Sequence, residues 1–434
     1  MKCSFMDSFW GPFQRKMTSF NDLPDLCLIE ICHYLKSGEV LQSLFDVTHR
    51  LDDILVERKY LSNINLYNVN VKLFQWICDS KLLEKVSKLV ETLAIDEAYA
   101  PIQLKRFNSL GIFSQFDNVK CLALLFINNI SDVYLFFESS YSQYLPNLQN
   151  LKIRLRECLD GWVERNCAAL KQFSSFVREH ILFNTKKTSL ERFDIKLNSY
   201  LGLLLKSPEI LTKNDHIHRL RIHLGRVSDV LFIFDHFPSL DYLNISLIET
   251  VVNVDFDADI VDETYDFESL PLKLPQLKDF TLKCYWGIID YKILEKIIKN
   301  LIYLNKLNFI CNRSNLSSYI NGDRIDQMLS NLTNLKELNF CIKFALEVPA
   351  DRVRIEESFI DTRMKWKICF NLDELGNVYS IYTLPWFDSL MKGFNLLNAS
   401  YDGQDNYWSV RDLEVYWACP HVTSFSDISQ ILLL

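Results

Sequence analysis

The chain has 434 residues, of which 49% are hydrophobic and 13% aromatic, and its formal net charge is −8 at pH 7. This composition excludes an intrinsically disordered protein, because enough apolar surface is present to bury a large core. The acidic balance argues against a protein whose whole surface binds nucleic acid. The sequence contains no long apolar run that would span a membrane, and its first 19 residues lack the apolar region of a secretory signal.

The cysteines give a second bound on the type of protein. All 12 are scattered, without a CxxC pair and without histidine at the spacing of zinc ligands. In a chain without a secretory signal, such cysteines are expected to be reduced and mostly buried. We therefore expect a protein of the cytoplasm, the nucleus or both.

Residues 1–19 are predicted to be a disordered leader, and residues 20–60 a short helical motif. A Leu-Pro pair opens the motif, and Pro24 suits the first turn of a helix, where its missing N–H has no role. Leu28, Ile31 and Leu35 then fall at i, i+3 and i+7, the stripe of an amphipathic helix. Three such helices within about forty residues cannot bury much core alone, so a partner surface is expected.

This order of a Leu-Pro pair, an apolar stripe and a later Arg-Leu pair resembles the F-box. The F-box attaches substrate receptors to the adaptor subunit of a cullin-RING ubiquitin ligase. The matching positions are Leu23, Pro24, Leu28, Ile31, Tyr34, Leu35, Leu44, Val47, Arg50 and Leu51. The sequence departs from the motif at Leu26, where Glu is usual, and at Cys32, where Phe is frequent.

The resemblance implies an adaptor-binding surface. Its residues are Leu23, Pro24, Leu28, Ile31, Leu35, Leu44 and Val47. The first five of these are predicted to be too exposed for a buried core, because an interface has to be accessible in the free chain. The alternative is that the helices only cap the repeats that follow, since the ends of repeat arrays are usually atypical.

Residues 61–342 repeat the pattern apolar-x-x-apolar-x-apolar, whose last two apolar positions alternate with polar ones as in a half-buried strand. The pattern starts at Val90, Val119, Leu148, Leu190, Ile217, Leu240, Leu277, Leu304, Leu335 and, less regularly, Val410. Helices are predicted between the units, over residues 131–144, 162–182, 228–237, 291–300 and 323–331. The pattern resembles the leucine-rich repeat, whose period is about 20–29 residues.

The two resemblances imply an α/β fold in which a helical F-box precedes an irregular solenoid, with parallel strands inside and helices outside. A general α/β sheet is the alternative. Residues 343–434 are predicted to cap the array and to cover its exposed edge. Residues 365–370 and 379–383 alternate as two strands around a turn signal at 373–377, which predicts a β-hairpin.

No catalytic or cofactor motif occurs, so we predict neither an enzyme nor a bound cofactor or metal ion. Residues 249–268 contain eight acidic and no basic residues, which favours a solvated insertion, with a docking loop for a basic partner as the alternative. Calcium binding is disfavoured there, because Ile260 stands where the loop needs Gly. His216, His218 and His223 are interpreted as surface or edge histidines rather than metal ligands.

The strand register predicts a basic patch on the polar, concave side of the array. Its residues, from three successive units, are Lys152, Arg154, Arg192, Lys196, Arg219 and Arg221. Neighbouring strands lie ~4.8 Å apart, so the charges would merge and suit carboxylates or phosphates of a protein partner. The alternative is an ordinary solvated strand face.

These features predict a substrate-recognition subunit of an SCF-type E3 ubiquitin ligase. Its F-box would bind the ligase adaptor and, through it, cullin, while the array would bind an acidic or phosphorylated protein target. Neither a membrane nor a nucleic acid is an expected partner. The alternative function is a repeat scaffold for protein interactions outside the ubiquitin system.

Overall fold

The computed structural model shows a mixed α/β protein whose strands are mostly parallel. It describes residues 23–35, 37–67, 69–79, 82–111, 115–144, 147–156, 162–183, 189–197, 201–206, 212–248, 265–284, 289–313, 321–345, 350–360, 368–372, 378–383, 390–392 and 412–414. The predicted leader, the start at Val410, the turn at 373–377 and most of the acidic segment lie outside these residues. The chain divides into two compact units, residues 1–156 with 187–189 and residues 157–186 with 190–434.

The first unit begins with three short helices. They are α1 (Asp25–Tyr34), α2 (Ser37–Ser43) and α3 (His49–Glu57). Thr48 caps α3, because its hydroxyl oxygen accepts a hydrogen bond from the Leu51 N–H at 3.3 Å. Leu28 of α1 packs against Leu51 and Ile54 of α3 in a small buried core.

Four parallel strands of the first unit then pair in chain order. They are β1 (Asn63–Asn65), β2 (Thr92–Asp96), β3 (Cys121–Ile127) and β4 (Asn150–Leu155). Its further helices are α4 (Val71–Asp79), α5 (Leu82–Val86), α6 (Gln103–Ser109) and α7 (Ile130–Tyr144). Buried and half-buried side chains alternate along β4, because one face of the sheet packs on the core.

The second unit begins with α8 (Trp162–Phe176), which continues as a π-helical turn over Val177–Leu182. Six parallel strands follow and pair in chain order. They are β5 (Arg192–Lys196), β6 (Arg219–Leu224), β7 (Tyr242–Leu247), β8 (Asp279–Cys284), β9 (Lys306–Arg313) and β10 (Glu337–Ala345). The helices that follow β6 to β10 are α9 (Val227–His236), α10 (Leu270–Lys273), α11 (Tyr291–Asn300), α12 (Gly322–Leu329) and α13 (Ala350–Ile360).

An antiparallel pair covers the edge of β10. It consists of β11 (Ile368–Leu372) and β12 (Val378–Thr383), and β12 also pairs antiparallel with β10. These two strands overlap those predicted at residues 365–370 and 379–383, and β12 is the one that pairs with β10. Two short strands, β13 (Leu390–Lys392) and β14 (Asp412–Glu414), form a separate parallel pair.

The repeat pattern has a counterpart in the backbone. The Glu91 carbonyl accepts hydrogen bonds from the N–H groups of Lys120 and Cys121, at 2.8 and 3.0 Å. The same arrangement recurs elsewhere in the chain. The carbonyl of the residue directly before a strand accepts hydrogen bonds from two consecutive N–H groups at the start of the next strand. These carbonyls belong to Ser62, Lys120, Glu191, His218, Asp241, Lys278 and Asn305. Equivalent residues of the sequence pattern therefore occupy equivalent places.

The repeat positions form the core. Each predicted start from Val90 to Leu335 is at most 3% exposed. The strand positions predicted to be buried are equally inaccessible, namely Leu151, Ile153, Leu243, Ile245, Leu307 and Leu338. The five predicted helices agree with α7, with α8 and its π-helical turn, and with α9, α11 and α12 to within two residues at either end.

No helix among the described residues is long and apolar enough to cross a membrane. Among the residues whose side chains the structure describes, eight cysteines carry free thiols. Six of them are buried, namely Cys32, Cys78, Cys284, Cys311, Cys341 and Cys369.

Candidate binding surfaces

The residues predicted to bind an adaptor divide between core and surface. Leu28 and Leu44 are buried, with Leu28 only 1% exposed. Leu23, Ile31 and Leu35 are half-buried, and the exposed members of the set are Pro24 and Val47. The prediction that Leu28 is exposed is therefore wrong, because this side chain packs in the core between α1 and α3.

Other apolar side chains are more exposed on the same helical motif. Leu26 is 77% exposed and Tyr34 is 80% exposed, and both belong to α1. Eight residues of α-helix separate them, so they lie about 80° apart around the helix axis. Val47, before α3, is 55% exposed. Since the small core is already closed by other residues, these side chains are available to a partner.

Arg50 of α3 fixes the chain at the start of α1. Its Nη2 donates a hydrogen bond to the Leu23 carbonyl at 2.8 Å, and its Nε donates to the Asp25 carboxylate at 3.1 Å. Tyr60 holds the middle of α1, because its hydroxyl donates to the Ile29 carbonyl at 3.1 Å. The Leu-Pro segment is thus positioned by side-chain contacts to the backbone.

The second candidate surface is the polar face of the parallel strands in the second unit. The strand register aligns its side chains in rows that run across the sheet. The first row contains Arg192, Arg219, Tyr242, Asp279, Lys306 and Glu337. The second row contains Asp194, Arg221, Asn244, Thr281, Asn308 and Asn339.

The first row carries charges of both signs. The guanidinium carbon of Arg219 lies 4.9 Å from the centroid of the Tyr242 ring. Lys306 Nζ lies 2.6 Å from Glu337 Oε2. Burial raises the pKa of Asp279, while the nearby cations of Lys306 and Arg219 act against that rise. This row is therefore only partly basic.

Three residues of the second row are joined by neutral hydrogen bonds, and an ion pair lies at the other end of the row. Asn308 Nδ2 donates to Thr281 Oγ1, and Asn339 Nδ2 donates to Asn308 Oδ1, both at 2.9 Å. At the other end, Arg221 Nε lies 3.9 Å from Asp194 Oδ1. The amides satisfy each other, so this part of the row stabilises the sheet.

A third row, next to these, holds a buried histidine among cations. His223 of β6 is aligned with Ser246 of β7, which is aligned with Lys283 of β8. His223 is 7% exposed, and its Nδ1 has no hydrogen-bond partner. Burial first, and then the charges of Lys196, Arg221 and Lys283, lower the pKa of His223 to about 3. Its imidazole is consequently neutral at physiological pH.

This row corrects one interpretation from the sequence. His216 and His218 are exposed, but His223 is buried rather than a surface or edge residue. Sequence reasoning also missed Lys283, although continuing the alternation of the unit that starts at Leu277 would have placed it on the polar face. Among the described residues, no group of three or more His, Cys, Asp or Glu side chains is arranged to hold a metal ion.

The predicted basic patch falls on three strands. Lys152 and Arg154 are half-buried residues of β4, in the first unit. The other four members lie on β5 and β6 of the second unit, namely Arg192, Lys196, Arg219 and Arg221. Arg192 and Arg219 are exposed and directly opposite each other in the strand register. The second unit therefore brings these four together on one face.

No protein-family model matches this chain, and no curated protein matches it in sequence.

Proposed function

We propose that this chain is a substrate-recognition subunit of an SCF-type ubiquitin ligase. Helices α1 to α3 bind the ligase adaptor as an F-box, and the strands and helices that follow form an irregular leucine-rich-repeat solenoid that binds a protein target. The chain performs no bond chemistry and acts by holding the target near the ubiquitin-transfer machinery.

The observation that carries this proposal is the exposed apolar surface of the helical motif. Leu26, Tyr34 and Val47 are each more than half exposed, while Leu28 and Leu51 of the same helical motif are buried in its core. An apolar side chain that stays in water contributes nothing to the stability of the fold, because the burial of apolar surface is what stabilises a folded protein. A protein partner that covers the surface explains them.

A second candidate function, a repeat scaffold outside the ubiquitin system, is favoured by the packing of α2. Val40 and Leu41 are buried in the first unit, and a methyl group added to Gly38 would lie 3.1 Å from Val69 Cγ2. Helix α2 therefore packs tightly against the residues after β1, as a terminal cap would.

Binding of purified adaptor separates the two functions. We expect the full chain to retain the adaptor and cullin in a pull-down, and Tyr34→Ala with Val47→Glu to abolish that retention, since both side chains are exposed. Tyr99→Ala is the matched control, because Tyr99 is 61% exposed in the same unit but lies outside the helical motif. Equal retention by the double variant and the control would exclude the F-box function and leave the scaffold.

A further inference from the structure

The turn between α2 and α3 carries one of the exposed apolar residues of the helical motif. Val47 is 55% exposed, and its neighbour Asp46 has a backbone φ of 64°, in the left-handed region. That region is unfavourable for a residue with a Cβ, although aspartate tolerates it better than most. Such a conformation persists where neighbouring groups hold it. The contacts of Asp46 therefore decide how Val47 is presented.

Asp46 is held through both its backbone and its side chain. Its N–H donates a hydrogen bond to Asp52 Oδ1 at 2.8 Å, which ties the turn to the first turn of α3. Its carboxylate accepts a hydrogen bond from Lys85, whose Nζ lies 2.5 Å from Oδ2. The first contact lies within the helical motif. The second comes from α5, 39 residues further along the chain and outside the motif.

Lys85 reaches the turn from an anchored part of the backbone. Leu83 and Val86, on either side of it in α5, are both 0% exposed. Ser87 Oγ also donates a hydrogen bond to the Glu84 carbonyl at 2.9 Å. Because the backbone is already fixed, only the side chain of the lysine loses freedom when it pairs with the turn.

We propose that Lys85 is a positioning residue for adaptor binding, because through Asp46 it fixes the turn that carries Val47. A turn that is ordered before binding costs less free energy to dock than one that has to be ordered by the partner. Both side chains of the ion pair are about half exposed, so the pair contributes little to overall stability. The proposal rests on the proposed function, and it assigns part of adaptor binding to a residue outside the helical motif.

Binding of purified adaptor to the full chain, measured by isothermal titration calorimetry, tests the positioning role. Lys85→Met removes the charge and should weaken binding roughly 2- to 10-fold, the range expected when a turn has to be ordered on binding. Lys88→Met is the matched control, because it removes the same charge from an exposed position three residues further along. It should bind like the wild-type chain. Lys85→Arg keeps the charge and should retain most of the affinity.

A double-mutant cycle separates positioning from direct contact with the adaptor. Asp46→Asn removes the carboxylate but keeps a residue type that tolerates a positive φ. If Lys85 acts through Asp46, the double variant should bind no more weakly than Lys85→Met alone. Additive losses would show that Lys85 contacts the adaptor itself, and a lower urea midpoint in Lys85→Met would show general destabilisation. Either result would contradict the positioning role.

Amide hydrogen exchange of the free chain tests the turn without the adaptor. The peptide of residues 44–48 contains the Asp46 N–H. Lys85→Met should speed exchange of this peptide several-fold relative to the wild-type chain, because the turn opens more often. Lys88→Met should leave the exchange unchanged. The difference should shrink at ~1 M NaCl, since an exposed ion pair is screened by salt.

Two further results would overturn the proposal. They are unchanged exchange of the turn in Lys85→Met, and equal adaptor affinity of Lys85→Met and Lys88→Met. The proposed ligase function fails by a different result, which is that the wild-type chain does not bind the adaptor. Faster exchange in Lys85→Met would in that case still assign Lys85 to the turn, so the two failures are distinguishable.

Discussion

Glu97 Oε2 accepts two hydrogen bonds from Asn128, one from its backbone N–H and one from its Nδ2, each 3.1 Å long. Glu97 Oε1 accepts a third from the Leu104 N–H, also at 3.1 Å. The side chain is 1% exposed, and burial raises the pKa of its carboxyl, while these hydrogen bonds act against that rise. One buried carboxylate therefore joins the residue after β2 to α6 and to the loop after β3.

Glu97→Gln should lower the free energy of unfolding by about 1–3 kcal/mol. The amide has one oxygen instead of two, so it cannot accept all three hydrogen bonds, and a buried donor is left unpaired. Urea denaturation measures the change. Glu91→Gln is the control, because Glu91 is half-exposed and pairs with Lys120 at 3.1 Å. Its change should stay within about 1 kcal/mol, and an equal loss in both variants would contradict this role of Glu97.

Substitutions at Leu28 and Tyr34 are expected to change different properties of the protein, the first its stability and the second its binding of the adaptor. Leu28→Ala should reduce the free energy of unfolding by roughly 2–5 kcal/mol, because it leaves a cavity between α1 and α3. Tyr34→Ala should change stability little, since the side chain is 80% exposed, and should instead weaken adaptor binding. Thermal unfolding and binding measured on both variants check this, and a destabilised Tyr34→Ala would show that Tyr34 is packed.

The burial of Leu28 shows what helical periodicity leaves open. The apolar stripe predicted that α1 has an apolar side, and it does. Periodicity does not state whether another helix or a partner covers that side, and α3 covers Leu28. Leu26, by contrast, looked like a departure from the motif and is among its most exposed apolar residues.

The repeats were more predictable than the candidate sites. Each start of the apolar pattern must reach the core, so the residues from Val90 to Leu335 could be recognised from spacing alone. The cluster of cations around His223 depends on which strands lie side by side. Lys196 and Lys283 are far apart in the sequence, and only the parallel register brings both near one histidine.

Asn308 is expected to stabilise the sheet through both ends of its amide. It donates to Thr281 and accepts from Asn339, and it is buried. Asn308→Ala leaves the Asn339 Nδ2 without this acceptor and should cost about 1–3 kcal/mol in the free energy of unfolding. Asn331→Ala is the control, since Asn331 is exposed and makes a 3.3 Å hydrogen bond to the Lys299 carbonyl. Similar urea midpoints for the two variants would show that the ladder contributes little.

His223 should make the protein sensitive to acid. Its pKa is about 3 in the folded chain, because of burial and the cations of Lys196, Arg221 and Lys283, against an ordinary value of 6.5. Between these two values the unfolded chain binds more protons than the folded one. The free energy of unfolding therefore falls as the pH drops through this range, by up to about 1.4 kcal/mol per pH unit.

Comparison with His223→Gln isolates this contribution from that of the carboxylates. Asp279 and Glu97 have raised pKa values and favour the folded state as the pH falls, but they are present in both proteins. Urea denaturation at pH 4, 5, 6 and 7 should show the wild-type chain losing stability relative to His223→Gln as the pH decreases. His218→Gln, at an exposed position on the same segment, should follow the wild-type curve. Parallel curves for wild type and His223→Gln would mean that the imidazole accepts a proton as easily in the folded chain as in the unfolded one.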